Sequence, residues 1–338
     1  MANISEDLAD LTISRQLILT RVANGLSKQV ADHYEAMIDD IRTTILKSGN
    51  ISNRLRQTIK DIKEQLSVPN FDKDFKDLAK QEVNYTQKAY NNVIGVDVFK
   101  NIPPDSAMNA ILNTSLIEGA TISAWLKDLE ASQAFDVERA IKLGMTLGET
   151  NNQLAQRVVN TMGVSMRNAQ TIVKTGTATV ANQARMEFMK ANEEDVIKGY
   201  QWHATLDSRT RLEHAARDGA AWSNDKKGLN EKGKKYPFKY TPDGWNCRCQ
   251  LVPILKTWRE MGIDEDEMPE GTRSSLDGYV PQTTTFDKWI EGKSDKFKED
   301  YLGKGRYQLY KDGKITFIDL VNQQGRTLTL KELQEKYS

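Results

Sequence analysis

Through most of its first 195 residues this chain repeats apolar side chains about every three or four positions, a period that a helix can bury along one face and a strand cannot. Leu8, Leu11, Leu17 and Leu19 begin the stripe; Ile38, Ile41, Ile45 and Leu46 continue it, as do Leu55, Ile59, Ile62 and Leu66. Charged and amide residues fill the positions between, as suits a solvated helix face. The stops are legible too. Ser48-Gly49-Asn50 and Val68-Pro69-Asn70 read as helix ends and turns. In Ile102-Pro103-Pro104-Asp105 the two prolines force an extended joint, because each ring fixes its own φ and keeps the preceding residue out of the helical region. Beyond that joint, segments 107–117, 122–129, 135–147 and 151–159 read as short helices of a compact bundle, the last opened by Thr and amide capping residues. Segment 169–192 reads as a longer helix. Its Thr175-Gly176-Thr177 and Thr179 lower helix propensity and mark a kink or a close packing contact.

The pattern changes near Glu193-Glu194-Asp195, where helical periodicity fades and aromatic residues, Gly and Pro increase. Segment 200–205 alternates like a strand. Segment 224–235 is a Lys, Gly, Asn and Asp loop, and 251–255 is a strand or sheet edge, since Pro253 has no N–H to donate. An acidic loop at 264–271 precedes a helical stretch at 286–302. Two alternating runs, 307–310 and 315–318, flank Lys311-Asp312-Gly313-Lys314 and predict a hairpin. Thr329 and Glu332 form a capping box for a last helix ending near Tyr337. The expected fold class is α+β: an extended helical region (1–102), a helical bundle (103–195), a small mixed α/β core with short strands (196–256) and a C-terminal hairpin-plus-helix α/β tail (257–338).

Several function classes fit poorly. Forty-seven basic residues balance forty-seven acidic ones, so the chain lacks the overall positive field of a dedicated nucleic-acid binder. Two cysteines one residue apart, Cys247 and Cys249, are too few for a secreted disulfide scaffold and fit a reducing cytosol. The first residues have no basic and then apolar stretch of a secretory signal. No apolar run approaches the roughly 20 residues that span a bilayer, so no membrane partner is expected.

The residues with most chemical potential lie between Trp202 and Cys249, a stretch with both cysteines, two of the three histidines and half of the six tryptophans. On a strand, Cys247 and Cys249 would point to one face; with His214, and one of Asp207, Asp218 or His203, they could complete a zinc site. No cofactor is otherwise expected. Cys247, His214 and Asp207 could also be assembled into a metal-dependent or cysteine hydrolase, although no nucleophile motif supports that alternative. A structural reading accounts for more of the segment. Asp207-Ser208-Arg209-Thr210 reads as a capped turn, and Asp218-Gly219 and Asp243-Gly244 as tight turns. Arg209 and Arg248 could fork onto Asp207, Asp218 or Asp243, while Trp202, Trp222 and Trp245 fill the centre. His214 and Asp218, four apart, read as a surface pair on one helical turn. Lys226, Lys227, Lys234 and Lys235, interleaved with Tyr236, Phe238 and Tyr240, could hold phosphate and stack on bases, or be a solvated loop.

At these residues the chain resembles the Mu F-like minor head proteins, a family of tailed-phage head-morphogenesis proteins. The resemblance rests on Trp202, Asp207-Ser208-Arg209-Thr210, His214, Asp218-Gly219, Pro242 and Asn246-Cys247-Arg248-Cys249. Leu302-Gly303, Arg306, Gly313-Lys314 and Ile318-Asp319-Leu320-Val321 extend it through the tail, and the helical first half is in keeping. The resemblance implies a minor capsid protein, not an enzyme, that assists procapsid assembly. Its implied partners are the portal protein and the major capsid or scaffolding protein, with a secondary, non-specific contact to packaged DNA. Its implied location is the host cytoplasm during assembly and the capsid interior of the virion.

Overall fold

The computed structural model describes residues 4–49, 51–262 and 272–337. Leu8, Leu11 and Leu17 lie outside the residues whose side chains are described, and the acidic segment 264–271 lies outside the described residues altogether. Helices come first: α1 (Ile4–Lys47), α2 (Ile51–Gln65), α3 (Asp72–Ile94), α4 (Asp105–Thr114), α5 (Ile122–Thr146) and α6 (Asn151–Ala191). The apolar stripe is the reason. Val30, Tyr34, Ile41 and Ile45, spaced by four or seven residues, are almost fully buried along α1, which packs against α6.

The expected bundle of short helices is corrected in one respect. Segments 122–129 and 135–147 are parts of the single helix α5, and 151–159 and 169–192 are parts of α6. No proline interrupts either join, and Leu154, Val158, Met162, Ala169 and Val173 carry one buried stripe through the second. Thr150 caps α6 in a reciprocal box with Gln153. At Gly176 the helix does not break. A Cβ there would come within 3.0 Å of Ile122 Cδ1 and 3.2 Å of Phe75 Cζ, so the residue marks a close helix contact. The hydroxyls of Thr177 and Thr179 donate to the carbonyls four residues back, which keeps them satisfied inside the bundle. One buried ion cluster sits among these helices: Glu82 of α3 accepts from Arg185 of α6 at 2.6 Å and from Arg15 of α1 at 2.5 Å.

After α6 the elements shorten. β1 (Ile197–His203) is the centre of an antiparallel sheet between β2 (Ala221–Ser223) and β3 (Gln250–Leu255), with Tyr200 opposite Trp222 and Trp202 opposite Leu251. β3 lies at the edge, where the missing N–H of Pro253 is tolerated. Two short helices, α7 (Leu212–Arg217) and α8 (Glu231–Lys235), stand in the loops between strands. A hairpin, β4 (Thr272–Ser275) and β5 (Gly278–Pro281), leads to α9 (Phe286–Glu291), α10 (Asp295–Leu302), α11 (Lys304–Lys311), a 3-10 turn at Phe317–Leu320 and α12 (Leu330–Tyr337).

The tail hairpin expected at 307–318 is not formed. Residues 307–310 belong to α11, and Gly313, at φ +70°, follows its end while Lys314 N–H bonds back to Leu309. A glycine with positive φ serves a helix end as readily as a hairpin turn, so Asp312-Gly313 did not discriminate between them. The hairpin lies earlier, with its turn at Leu276-Asp277. Thr329 and Glu332 do form the expected capping box. Buried apolar side chains join all these parts in one continuous cluster running from Leu19 to Leu333. Among the described residues, no helix is long and apolar enough to cross a membrane.

Candidate metal centre and its polar frame

The turn at Asp207 is built as its residues dictate. Asp207 Oδ1 accepts from the Arg209 N–H at 3.0 Å and from the Thr210 hydroxyl at 3.1 Å. Arg248 forks onto both carboxylate oxygens, at 2.5 and 2.9 Å. Burial alone would raise the Asp207 pKa, but the Arg248 guanidinium, with the Arg209 N–H and the Thr210 hydroxyl, holds the carboxyl below its ordinary value. Arg209 contributes little: its side chain is exposed and lies 3.8 Å from Asp207.

Asp218 ends α7 and is fully buried. Its oxygens accept the N–H groups of Ala204 and Phe286, both at 2.6 Å, and the guanidinium of Arg273 at 3.0 and 3.2 Å. Gly219 follows at φ +82° and donates its N–H to the Trp202 carbonyl; a Cβ there would lie 2.6 Å from Thr285 Cγ2. The expected surface pair of His214 and Asp218 is therefore corrected. Both are buried, and the chain leaves the helix at Asp218, which sends the two side chains to different partners. Arg217 stacks over the rings of Trp202 and Tyr236 at 5.0 and 5.8 Å and donates to Asp243 at 3.1 Å. Trp202 and Trp222 are central, as expected, whereas Trp245 is half-buried and packs edge-on against Trp125 of α5.

His214, Cys247 and Cys249 come together. All three are buried, and their ligand atoms lie within 4.8 Å of one another. The imidazole Nδ1 is 3.2 Å from Cys249 Sγ and 3.5 Å from Cys247 Sγ. Its other nitrogen faces Arg211 Nη2 at 3.0 Å and Asp243 Oδ2 at 3.8 Å. The thiols are driven apart in acidity. The hydrogen bond from Cys249 and the contact with His214 lower Cys247, while burial and its neighbour push Cys249 up. The proposed fourth ligands stand elsewhere: Asp207 is taken by Arg248, Asp218 by Arg273, and His203 pairs with Gln201 at 3.0 Å. The same placement disfavours a Cys247–His214–Asp207 relay.

The Lys-rich loop divides. Lys226, Lys227 and Lys234 are exposed, with Lys226 over the rings of Phe238 and Tyr240 at 5.5 and 5.3 Å. Lys235 is half-buried and bonds to the Ile318 carbonyl. Arg217, Arg211 and Arg273 are anchors that sequence reasoning missed; no spacing links Arg273 to Asp218, 55 residues earlier.

Residues 135–252 match the family of "Phage Mu protein F like protein". Over these residues the chain is similar to the phage Mu F-like proteins. The match takes in the second half of α5, all of α6, strands β1 and β2, the start of β3 and the three-residue cluster. The chain is similar to the minor head protein GP7 of Bacillus phage SPP1, 27% identical over 299 residues that cover 79% of this chain and 92% of that protein. It is similar to the putative capsid assembly protein F of Escherichia phage Mu, at 28% over 45% of this chain and 39% of that protein. An uncharacterized protein of Haemophilus influenzae is 27% identical over 59% of this chain and 43% of its own length. No solved structure matches. The resemblance of the Mu F-like region to phage head-morphogenesis proteins thus extends, through the SPP1 relative, over most of the chain, helical half included.

Proposed function

We propose that this chain is a minor capsid protein of a tailed bacteriophage that assists procapsid assembly by binding the portal or the inner shell. The observation that carries this reading is the likeness to a minor head protein over 79% of this chain and 92% of that protein's length. The helices offer surface for docking: Phe135, Leu143 and Leu147, spaced by eight and four residues at α5 and its C-terminal end, are exposed. The role is structural rather than enzymatic, carried out in the host cytoplasm and inside the capsid. The test is co-expression with the same phage's portal, major capsid and scaffolding proteins, followed by native mass spectrometry. A complex with one of these is expected, weakened by Phe135→Asp; complete absence from every such complex and from procapsids would reject the role. Contact with packaged DNA, through Lys226, Lys227 and Lys234, belongs to the same proposal. It predicts weak binding that falls steeply with salt, with a slope reduced by about 1 for each phosphate-contacting lysine replaced.

A further inference from the structure

We propose that His214, Cys247 and Cys249 form a zinc site that supplies three protein ligands and leaves the fourth to a small exogenous ligand. In tetrahedral zinc, metal–sulfur bonds of about 2.3 Å and metal–nitrogen bonds of about 2.0–2.1 Å set nitrogen–sulfur separations of about 3.5–3.6 Å. His214 Nδ1 stands 3.2 and 3.5 Å from the two sulfurs. A hydrogen bond explains this arrangement less completely: Nδ1 carries one proton, yet both sulfurs converge on it. The frame is also that of a thiolate site. Cys247 Sγ accepts the Cys249 N–H at 3.4 Å. Backbone donors of this kind fix sulfur ligands and offset their charge. Trp202, edge-on to the imidazole at 5.6 Å, leaves its buried Nε1–H without a partner among the described residues.

Arg211 decides how tightly the ion is held. Its guanidinium donates to Nε2 of His214, which keeps the imidazole proton on Nδ1, the very nitrogen the metal needs. On zinc binding the proton belongs on Nε2, where the carboxylate of Asp243, now 3.8 Å away, is the acceptor, and Arg211 must withdraw. Arg211 is exposed and can do so. The site is therefore an exchangeable one.

The experiment uses the untagged full chain, purified under reducing conditions without chelator. One zinc per chain is expected by elemental analysis, and the cobalt-exchanged protein should show thiolate-to-metal charge-transfer absorption. Arg211→Ala should tighten zinc about tenfold in competition with a chromophoric chelator, in line with second-sphere effects. Cys247→Ser with Cys249→Ser should abolish binding. Should that variant fail to fold, the cobalt spectrum of the wild-type chain decides the question without it. Fewer than about one zinc in ten chains with no charge-transfer band, or zinc retained in a folded double variant, would overturn the site.

Discussion

The helical half and the region after residue 195 are held together by different means. In the first, long helices lay continuous apolar stripes on one another, and most of the buried side chains are apolar. Its buried charge is concentrated in one cluster, Arg15–Glu82–Arg185. In the second, no described strand exceeds seven residues and no described helix exceeds eight. Short elements leave many backbone groups without a ladder partner, and buried carboxylates take those places. Asp218 alone receives two backbone N–H groups and an arginine. The lesson is that element length sets the kind of anchor: long elements can rely on area, short ones need directed bonds.

The strongest way to break this contrast is Asp218→Ala. It strands Arg273 and two buried N–H groups, and should cost about 4 kcal/mol, the range for breaking a buried pair. Five of the six tryptophans lie beyond residue 195, so near-UV dichroism reports mainly on that region. Its signal should be lost at lower denaturant than the far-UV helical signal; coincident, unshifted transitions would mean the polar frame does not anchor the region. Ile41→Ala tests the other half. Ile41 is 1% exposed, and the truncation should cost about 3 kcal/mol, read as a lower midpoint of the far-UV transition. Thr150→Ala removes the cap of α6 and should cost about 1 kcal/mol in the same measurement. The mildest test leaves the sequence alone and lowers the pH. Asp207 and Asp243 are held below their ordinary values, although burial opposes it, by Arg248 in one case and by Lys239 and Arg217 in the other. Their contribution is complete above the unfolded carboxyl value of about 3.9 and disappears as pH falls through the lower folded values. The near-UV signal should therefore weaken below about pH 4. A near-UV signal indifferent to that range would remove these two pairs from the frame.

The same contrast explains what could be read from the sequence. Apolar periodicity is local, so the stripes of α1 and α2 and the edge strand with Pro253 were legible. So was the turn at Asp207, because an aspartate serves N–H groups two or three residues on. Residue type pointed to the meeting of His214 with Cys247 and Cys249, but strand parity did not bring it about: both cysteines lie in the loop that enters β3, not on a strand. The partners of Asp218 did not, since Arg273 and Phe286 lie 55 and 68 residues away and carry no pattern that aims them. The 307–318 hairpin failed for another reason: its Asp-Gly signal is shared by helix ends. The merging of helices in α5 and α6 was missed because the expected segments were taken as separate short helices, although no proline interrupts either join.

Helix α6 has a mechanical meaning. Its 41 residues, at about 1.5 Å each, make a strut about 60 Å long. It packs along α1, α3 and α5, its Asn151 bonds to the Ile45 and Gly49 carbonyls at one end, and near the other Arg185 reaches Gln250 of the edge strand. A strut of that length converts angle into distance: tilting one end by about 5° carries the other through about 5 Å. Because α1, α3 and α5 pack on this one helix and the Asn246 N–H of the cysteine loop reaches its Thr175, the same strut carries both the helical half and the cysteine pair.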